Sequence, residues 1–301
     1  MFENERRPDF FIVGAPKCGT TAMNAYLRQH PQIFIPKEKD ISFFGQDLQF
    51  RWPRITCEQY LSLFLKADEA LRVGEASVWY LYSRQAAEEI KGFSPAASII
   101  VMLRNPVDML YAQHSEFLHN CNEEIEDFEA ALAAEEDRRQ GRRMPKKAHL
   151  ADGLFYRETV KYAEQLRRYF DVFGRENVHV IIFDDFKRNT GDVFGQTLAF
   201  LGVDPNFRPE FRRINSNKVL RSRRLQELLV APPLALTRAF SAVMPPPLQG
   251  RFLPYLRHLN TRYIERPPLD SALRRRLQVE FEPEVKRLSC LIGRDLSNWC
   301  G

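Results

Sequence analysis

The segment FFIVGAPKCGTTAMNAYLRQ, residues 10–29, sets the architecture expected of this chain. Its apolar run Phe10–Val13 stops at Gly14, and helix-forming residues continue from Thr20 until His30-Pro31 interrupts them. This order predicts a strand, a tight loop and a helix. Free backbone N–H groups and the positive end of the helix dipole favour a phosphate group at such a loop.

Three further apolar runs extend the strand pattern along the chain: Leu71–Val73, Ser98–Leu103 and Val178–Phe183. Because their hydrophobicity is continuous rather than alternating, both faces of each strand are expected to be buried, as in a parallel sheet covered by helices. We therefore predict an α/β fold with a doubly wound parallel sheet of the P-loop type. The helical stretches predicted are 20–29, 107–120, 128–139, 156–173 and 271–292.

Length and composition suit one globular domain. The chain has 301 residues, 44% hydrophobic and 28% charged, and we expect a single domain over residues 1–301. A net charge of +5 suits an anionic small ligand better than nucleic acid. Five scattered cysteines without a C-x-x-C pair indicate neither a zinc site nor a disulfide framework. No run approaches the ~18 apolar residues of a membrane span, so we expect a cytoplasmic protein.

Proline clusters set residues 231–268 apart from the rest of the chain. Two pairs and one triplet of prolines bracket apolar pieces such as Leu234–Val243. Such an insert can form a lid, an element on the acceptor side of a site, or a helix on a membrane surface. Short apolar helices more often pack on their own domain, so we do not expect association with a membrane surface.

The loop Gly14–Thr21 differs from a Walker loop in the place of its lysine. Its glycines keep the five-residue spacing of G-x-x-x-x-G-K-[ST], but Thr20 stands where the lysine belongs and Lys17 lies inside the loop. A standard ATPase would therefore lack the amine that grips its phosphates. An ammonium within the loop can instead reach the bridging oxygen of a 5′-phosphosulfate, where negative charge gathers as the S–O bond breaks.

Residues 9–44, DFFIVGAPKCGTTAMNAYLRQHPQIFIPKEKDISFF, resemble the 5′-phosphosulfate-binding segment of PAPS-dependent sulfotransferases, in particular the bacterial and heparan-sulfate-type branch. Residues 73–81, 101–118 and 153–186 resemble, in turn, the family's catalytic strand, its 3′-phosphate segment, and its long helix with the strand that follows. The resemblance implies 3′-phosphoadenosine 5′-phosphosulfate (PAPS) as donor, no metal, and direct in-line transfer to an acceptor hydroxyl or amine.

The resemblance also implies a role for individual residues. Lys17 corresponds to the lysine that stabilises the transition state, Glu75 to the catalytic base and Arg104 to a 3′-phosphate contact. Lys218 and Arg221 resemble part of a late basic loop that closes over the phosphates of the donor. The full donor-binding set predicted is Pro16, Lys17, Cys18, Gly19, Thr20, Thr21, Arg104, Lys218 and Arg221.

The positions of Glu75 and Arg104 support these roles without the resemblance. Each stands at the end of an expected strand, at the sheet edge where α/β proteins bind ligands. A carboxylate there can accept a proton, and a guanidinium fork suits a phosphate dianion. The alternatives are a solvated or salt-bridged Glu75, with a histidine such as His114 as the base, and a local ion pair for Arg104.

Two positions depart from the family pattern. Ala112 stands where a serine that contacts the 3′-phosphate is expected, and Ser115 lies one helical turn, about 5 Å, further on. Ala76 stands where heparan-type relatives have a lysine, so a heparan-like acceptor is not assumed. Elsewhere, the basic run from Arg138 to Lys147 is typical of solvated chain, or of a mobile rim that attracts an anionic acceptor.

Two other classes of protein stay open. A P-loop kinase or NTPase is favoured by residues 178–185, VHVIIFDD, whose Asp184 and Asp185 mimic a magnesium-binding strand end. A non-enzymatic nucleotide-binding module would need neither Lys17 nor Glu75, and both are present. The missing Gly-Lys-Thr order favours the sulfotransferase. Its acceptor is expected to be a small molecule, a glycan or a lipid, since acceptor pockets form from variable loops.

Restoring a hydroxyl at Ala112 should strengthen donor binding, because a hydroxyl–phosphate hydrogen bond contributes about 1.5–3 kcal/mol. We expect Ala112→Ser to tighten binding of 3′-phosphoadenosine 5′-phosphate roughly tenfold or more in calorimetry. Adenosine 5′-phosphate, which lacks the 3′-phosphate, is the control ligand and should gain less. An equal gain for both nucleotides would show that residue 112 does not face the 3′-phosphate.

Overall fold

The computed structural model describes residues 6–67, 69–212, 217–230 and 255–301. The chain divides into two compact units. The first comprises Met1–Met109, Arg157–Asn215 and Ser271–Gly301, and the second Leu110–Tyr156 and Ser216–Asp270. A single domain over residues 1–301 stays a prediction. The central part of the proline-rich insert, residues 231–254, lies outside the described residues, and so does the expectation of a lid there.

The first unit contains a five-stranded sheet in the order β2-β3-β1-β4-β5, in which every adjacent pair is parallel. Its strands are β1 (Phe10–Gly14), β2 (Ile33–Phe34), β3 (Arg72–Ala76), β4 (Ser98–Leu103) and β5 (Val178–Ile182). The chain leaves β3 on one side of β1 and continues to β4 on the other. The loop that follows β1 therefore lies at a switch point of the sheet, which is where α/β proteins bind ligands.

Helices occur in both units of the chain. Along the chain they are α1 (Thr20–Leu27), α2 (Cys57–Ser62), α3 (Ala86–Phe93), α4 (Pro106–His119), α5 (Phe128–Ala133), α6 (Glu135–Arg139), α7 (Tyr156–Thr159), α8 (Tyr162–Phe173), α9 (Phe183–Arg188), α10 (Thr190–Phe200), α11 (Arg223–Val230) and α12 (Ser271–Ile292). Short 3₁₀ turns occur at Ala151–Leu154, Arg175–Asn177 and Ser297–Trp299. The parallel sheet flanked by helices confirms the predicted fold class.

The apolar runs of the sequence form the core of the sheet, as predicted. Every residue of β1 is buried, and so are five of the six residues of β4, Ile99–Leu103. Strands covered on both faces are expected in a parallel sheet, since its crossover helices lie on each face. The short run predicted at 71–73 forms a longer strand, β3, so Glu75 lies inside a strand rather than after one.

The second unit contains a two-stranded antiparallel sheet of β6 (Lys218–Leu220) and β7 (Thr261–Tyr263). It also contains a buried ion pair, in which Nη2 of Arg138 lies 2.7 Å from Oε2 of Glu123 and both side chains have no exposed surface. The hydroxyl of Tyr156 donates to the same carboxylate at 2.9 Å. Solvated chain was therefore the wrong prediction for Arg138, because this carboxylate and the carbonyl of Leu154 bind its guanidinium in the interior.

Two predicted helices are interrupted. The stretch 128–139 divides at Ala134 into α5 and α6. The stretch 156–173 divides between Thr159 and Tyr162, where the amide of Gln165 donates to the carbonyl of Glu158 at 3.0 Å. This side chain satisfies a carbonyl at the end of α7 that a continuous helix would pair within its own backbone.

The pairing of β1 with β3 depends on the missing side chain of Gly74. Phe10 is opposite Gly74 in register, and a Cβ on Gly74 would lie 2.1 Å from Cζ of Phe10. No real Cβ contact is that short. The ring therefore occupies the surface that the glycine leaves open.

Gly74→Ala should force the Phe10 ring out of the core and lower the free energy of unfolding by about 1–3 kcal/mol. Gly92, within α3, is the matched control, because a Cβ added there would point into open space. We expect Gly92→Ala to raise the free energy of unfolding by about 0.5–1 kcal/mol. Urea unfolding measures both. Equal stability of Gly74→Ala and the unmodified chain would contradict the contact.

Candidate active site

The loop between β1 and α1 takes a shape that depends on glycine at both ends. A Cβ on Gly14 would lie 2.7 Å from the backbone oxygen of Val78, and Gly19 has φ +93°. Lys17, between them, has a left-handed backbone with φ +59°. Such a run of turns directs backbone N–H groups toward one point, which is the arrangement that binds an anion.

Helix α1 begins at Thr20 with no side chain capping its first turn and no acidic residue there. The positive end of the helix dipole therefore meets no protein anion in that turn. Thr20 is buried and Thr21 half-buried, so their hydroxyls lie at the helix start. The loop and helix have the geometry predicted for a phosphate site.

Cys18 contributes to this loop through its backbone rather than through thiolate chemistry. Its side chain has no exposed surface, and its Sγ lies 3.2 Å from the carbonyl oxygen of Pro16. Burial raises the pKa of the Cys18 thiol to about 12, so the thiol stays protonated at neutral pH.

Arg104 follows β4 and lies against the loop. Its Nη1 donates to the carbonyl of Lys17 at 3.4 Å, and its guanidinium carbon lies 4.8 Å from the centre of the Phe183 ring. The structure thus brings together the cation predicted for a phosphate and the lysine predicted for the transition state. Both belong to the first unit.

Glu75 is 1% exposed and accepts hydrogen bonds from three hydroxyls. Tyr60 and Tyr80 donate to its Oε2 at 2.8 and 3.1 Å, and Ser77 donates to its Oε1 at 2.6 Å. Burial raises the pKa of the Glu75 carboxyl to about 7, although the three hydroxyls oppose that rise. The alternative of a solvated glutamate is therefore wrong.

The segment after β3 connects Glu75 to the phosphate loop. The N–H of Ser77 donates to the carbonyl of Ile12 at 3.1 Å, and the N–H of Leu81 donates to that of Val13 at 2.8 Å. These two carbonyls belong to the last residues of β1 before Gly14. The carboxylate and the loop therefore stand on neighbouring strands at one edge of the sheet.

Two of the four histidines considered as rival bases, His114 and His30, bind backbone groups, whereas the ring of His119 binds the side chains of Asn120 and Thr261. Nε2 of His114 lies 2.8 Å from the carbonyl oxygen of Ile125, so it carries the proton, and burial lowers the pKa of the ring. Nε2 of His30 lies 3.2 Å from the carbonyl of Asp204, and its Nδ1 accepts from the N–H of Gln32 at 3.1 Å. Both rings have structural roles.

The pair of aspartates that mimics a magnesium site lies in a helix rather than at a strand end. β5 ends at Ile182, and Asp184 and Asp185 are in the first turn of α9. Asp184 accepts from the indole N–H of Trp299 at 2.9 Å, and Asp185 pairs with Arg188 and Arg294. No group of three or more potential metal ligands occurs among the described residues. The expectation of no metal stays a prediction.

The other predicted donor contacts belong to the second unit. Lys218 begins β6, and Arg221 is exposed, with its N–H donating to the carbonyl of Asn260 at 2.8 Å. Ala112 is buried. The hydroxyl of Ser115 donates to the carbonyl of Tyr111 and accepts from Nε of Arg266 at 3.1 Å. The roles of Lys218, Arg221 and Ala112 stay predictions.

The hydroxyls that surround Glu75 were not predicted from the sequence. Ser77 and Tyr80 lie two and five positions after Glu75, within the family-like segment of residues 73–81. Hydroxyl residues this close to a carboxylate expected to be catalytic are a signal that could have identified them. Tyr60 comes from α2, which no pattern predicted, and only the fold brings it within 2.8 Å of Glu75.

The site combines a loop of phosphate-binding shape at the switch point of a parallel sheet, a lysine inside that loop and a buried carboxylate on the neighbouring strand. This combination is typical of a P-loop-like group transferase. The model of the sulfotransferase family matches residues 8–208, and the chain belongs to this family. Its members transfer sulfuryl groups. The prediction of the family is thereby confirmed.

A solved structure and two curated relatives show how far the similarity extends. A sulfotransferase from Alicyclobacillus acidocaldarius is 32% identical, with a TM-score of 0.73, over 98% of this chain and 99% of that chain. Carbohydrate sulfotransferase 15 of Mus musculus is 25% identical over 290 aligned residues, covering 77% of this chain and 50% of that protein. Membrane-associated sulfotransferase kil1 of Dictyostelium discoideum is 31% identical over 109 residues, covering 36% of this chain and 22% of that protein. The chain thus spans half or less of these curated relatives.

Glu75→Gln should gain stability relative to the unmodified chain as pH rises from 5 to 8. The raised pKa of Glu75 means that, between pH 4.5 and about 7, the folded protein binds more protons than the unfolded chain. The contribution of this carboxyl to the stability of the unmodified protein therefore falls as pH rises through this window, by an amount on the order of 3 kcal/mol. The variant lacks this loss.

Urea unfolding at pH 5 and pH 8 measures the difference. Glu88→Gln, at an exposed position in α3, is the control and should follow the unmodified chain at both values. If Glu75→Gln and the unmodified chain lose equal stability between the two pH values, the carboxyl does not titrate in this range.

Proposed function

We propose that this chain transfers a sulfuryl group from PAPS to an acceptor hydroxyl or amine by in-line displacement. The observation that carries the proposal is the place of Glu75: a buried carboxyl, with a pKa of about 7, on the strand beside a phosphate loop whose lysine lies inside it. A base that must accept a proton near neutral pH needs a pKa in this range. Membership of the sulfotransferase family gives the reaction class.

The phosphate loop would bind the 5′-phosphosulfate. Its left-handed turns and the uncapped first turn of α1 offer backbone N–H groups to the phosphate oxygens. Lys17 would meet the bridging oxygen, which becomes anionic as the S–O bond breaks, and this interaction is strongest in the transition state. Arg104, which touches the carbonyl of Lys17, is positioned to bind a phosphate of the same nucleotide.

Glu75 would accept the proton that the acceptor loses when its oxygen or nitrogen bonds to sulfur. Among the described residues, Oε2 accepts from Tyr60 and Tyr80, whereas Oε1 accepts from Ser77 alone. A carboxylate oxygen has two lone pairs, so Oε1 is the atom with room for the acceptor's proton. The acceptor would therefore approach on the side of Ser77.

We propose a sugar or small-molecule hydroxyl as the acceptor. The curated relatives include proteins named as carbohydrate and heparan sulfate sulfotransferases, which supports a glycan acceptor. Ala76, in place of a lysine beside the base, supports an acceptor unlike heparan. A lipid hydroxyl stays an alternative. A cytoplasmic location and the lack of binding to nucleic acid stay predictions, and no helix of the described residues is long and apolar enough to cross a membrane.

Lys17→Ala tests the proposal, because its amine meets a full negative charge only in the transition state. We expect kcat for sulfuryl transfer to fall about 10²–10³-fold, with a much smaller change in affinity for 3′-phosphoadenosine 5′-phosphate. Transfer is followed by mass spectrometry as an added SO₃ on extracts incubated with PAPS, in the presence of EDTA. Lys66→Ala, at an exposed position, is the control.

A loss of nucleotide affinity with unchanged kcat would contradict the role of Lys17. Activity that disappears in EDTA and returns with magnesium would favour the kinase or NTPase alternative. Nucleotide binding without transfer to any acceptor would favour a non-enzymatic binding module.

A further inference from the structure

Arg54 lies at the centre of a loop, residues 42–48, whose carbonyl groups point inward. Its Nη1 donates to the carbonyls of Ser42, Phe43 and Phe44, with the last two bonds at 3.5 and 2.9 Å. Its Nη2 donates to the carbonyls of Gly45 and, at 2.9 Å, Leu48. One guanidinium therefore binds five carbonyls of a seven-residue segment, which fixes its backbone.

Three amides of the same loop donate to the hydroxyls that bind Glu75, while those of Gly45 and Gln46 donate to the carboxylate of Glu89. The N–H groups of Phe43 and Phe44 donate to the hydroxyl oxygen of Tyr80 at 3.0 and 3.3 Å. The N–H of Ser42 donates to Oγ of Ser77 at 3.2 Å. The carbonyls of these same residues are those that Arg54 binds through Nη1.

These contacts determine where the hydroxyl protons lie. A hydroxyl has one proton, and the oxygens of Tyr80 and Ser77 already accept from backbone N–H groups. Each proton therefore points at Glu75, 3.1 Å from Tyr80 and 2.6 Å from Ser77. A donor that itself accepts a hydrogen bond is polarised and donates more strongly, which favours the ionised carboxylate.

We propose that Arg54 is a positioning residue for Glu75: by holding residues 42–48, it aims the hydroxyls of Tyr80 and Ser77 at the carboxylate and so sets the pH at which Glu75 becomes a base. This inference rests on the proposed role of Glu75 in sulfuryl transfer. The hydrogen bonds of Arg54 within the described residues go to backbone carbonyls of the loop rather than to Glu75 or the hydroxyls. Its positive charge also acts on Tyr80, so the test includes Arg54→Lys, which keeps that charge.

Other titratable groups also face Glu75. Tyr60 donates from α2, and Tyr80 donates from the segment after β3. Asp40, which pairs with Lys39, raises the pKa of the Glu75 carboxyl by its negative charge. Tyr169 on α8 interacts electrostatically with Glu75, whose charge raises the pKa of the Tyr169 hydroxyl. A substitution of Arg54 leaves the side chains of all these groups in the protein. A change in the titration of Glu75 that Arg54→Lys shares would therefore report the loop rather than the loss of charge.

The activity test compares pH profiles of kcat/KM for the unmodified enzyme, Arg54→Gln and Arg54→Lys. We expect the acid limb to move upward by about one pH unit in Arg54→Gln, because the carboxylate loses support from its donors. Activity would then fall roughly tenfold at pH 6 and less than twofold at pH 9. Arg54→Lys, which keeps the charge and part of the donors, should fall between the two.

Arg51→Gln is the matched control, because Arg51 is an exposed arginine three positions before Arg54 that lies over Trp52. Its profile should follow that of the unmodified enzyme. A loss of activity in Arg54→Gln by the same factor at every pH would overturn the proposal, since a merely structural role gives that result.

A second measurement separates this inference from the proposed function. Carbon-13 NMR of labelled glutamate carboxyls, with Glu75→Gln identifying the resonance, follows the titration of Glu75 without any transfer reaction. An unchanged midpoint in Arg54→Gln and Arg54→Lys overturns the positioning role, whatever the activity. A shifted midpoint with activity that does not depend on Glu75 supports the positioning role and overturns the role of Glu75 as the base.

Discussion

The ionisation of Glu75 inside the protein is the constraint on which the arrangement of the site depends. Every hydrogen bond that this carboxylate accepts within the described residues comes from a neutral hydroxyl, so no opposite charge offsets the loss of water in those contacts. The pKa of about 7 records a balance between burial and these three donors. A carboxyl poised in this way is uncharged and charged in comparable amounts at neutral pH.

Packed aromatic side chains exclude water from the Glu75 carboxyl. Phe43 stacks on Tyr60 with ring centres 4.1 Å apart, and Phe44 meets Tyr60, Tyr80 and Phe11 edge to face. Since Phe43 and Phe44 belong to the loop that Arg54 organises, the same seven residues exclude water and orient the donors. Burial and hydrogen bonding act on the pKa of Glu75 in opposite directions, and both depend on one segment of backbone.

Much of the fold and part of the site could be predicted from the sequence. Continuous apolar runs are enough to place β1, β4 and β5, although only β1 and β4 are buried almost throughout and two of the five residues of β5 are half-buried. Lys17 and Arg104 could be placed near one another, because the ends of parallel strands meet at one edge of a sheet. The short strand β2 leaves too little periodicity to detect.

The residues that contact Glu75 could not be predicted from the sequence, for a different physical reason. Tyr60, 15 residues away along the chain, and Arg54, whose partners lie 6 to 12 residues away, act through contacts that no local pattern encodes. The burial of Arg138 was not predicted for the same reason. It stands in a charged run that predicts solvent exposure, yet Glu123, 15 residues away, holds it in the interior.

The buried thiol of Cys18 has a practical consequence for work on this protein. Maleimides and iodoacetamides react with thiolates, and a thiol whose pKa is about 12 and whose surface is covered offers almost none. Cys57 and Cys290 are exposed. Fluorophores or spin labels can therefore be attached at α2 and α12 while the phosphate loop keeps its native chemistry, so distance changes on nucleotide binding become measurable without first removing the cysteine next to Lys17.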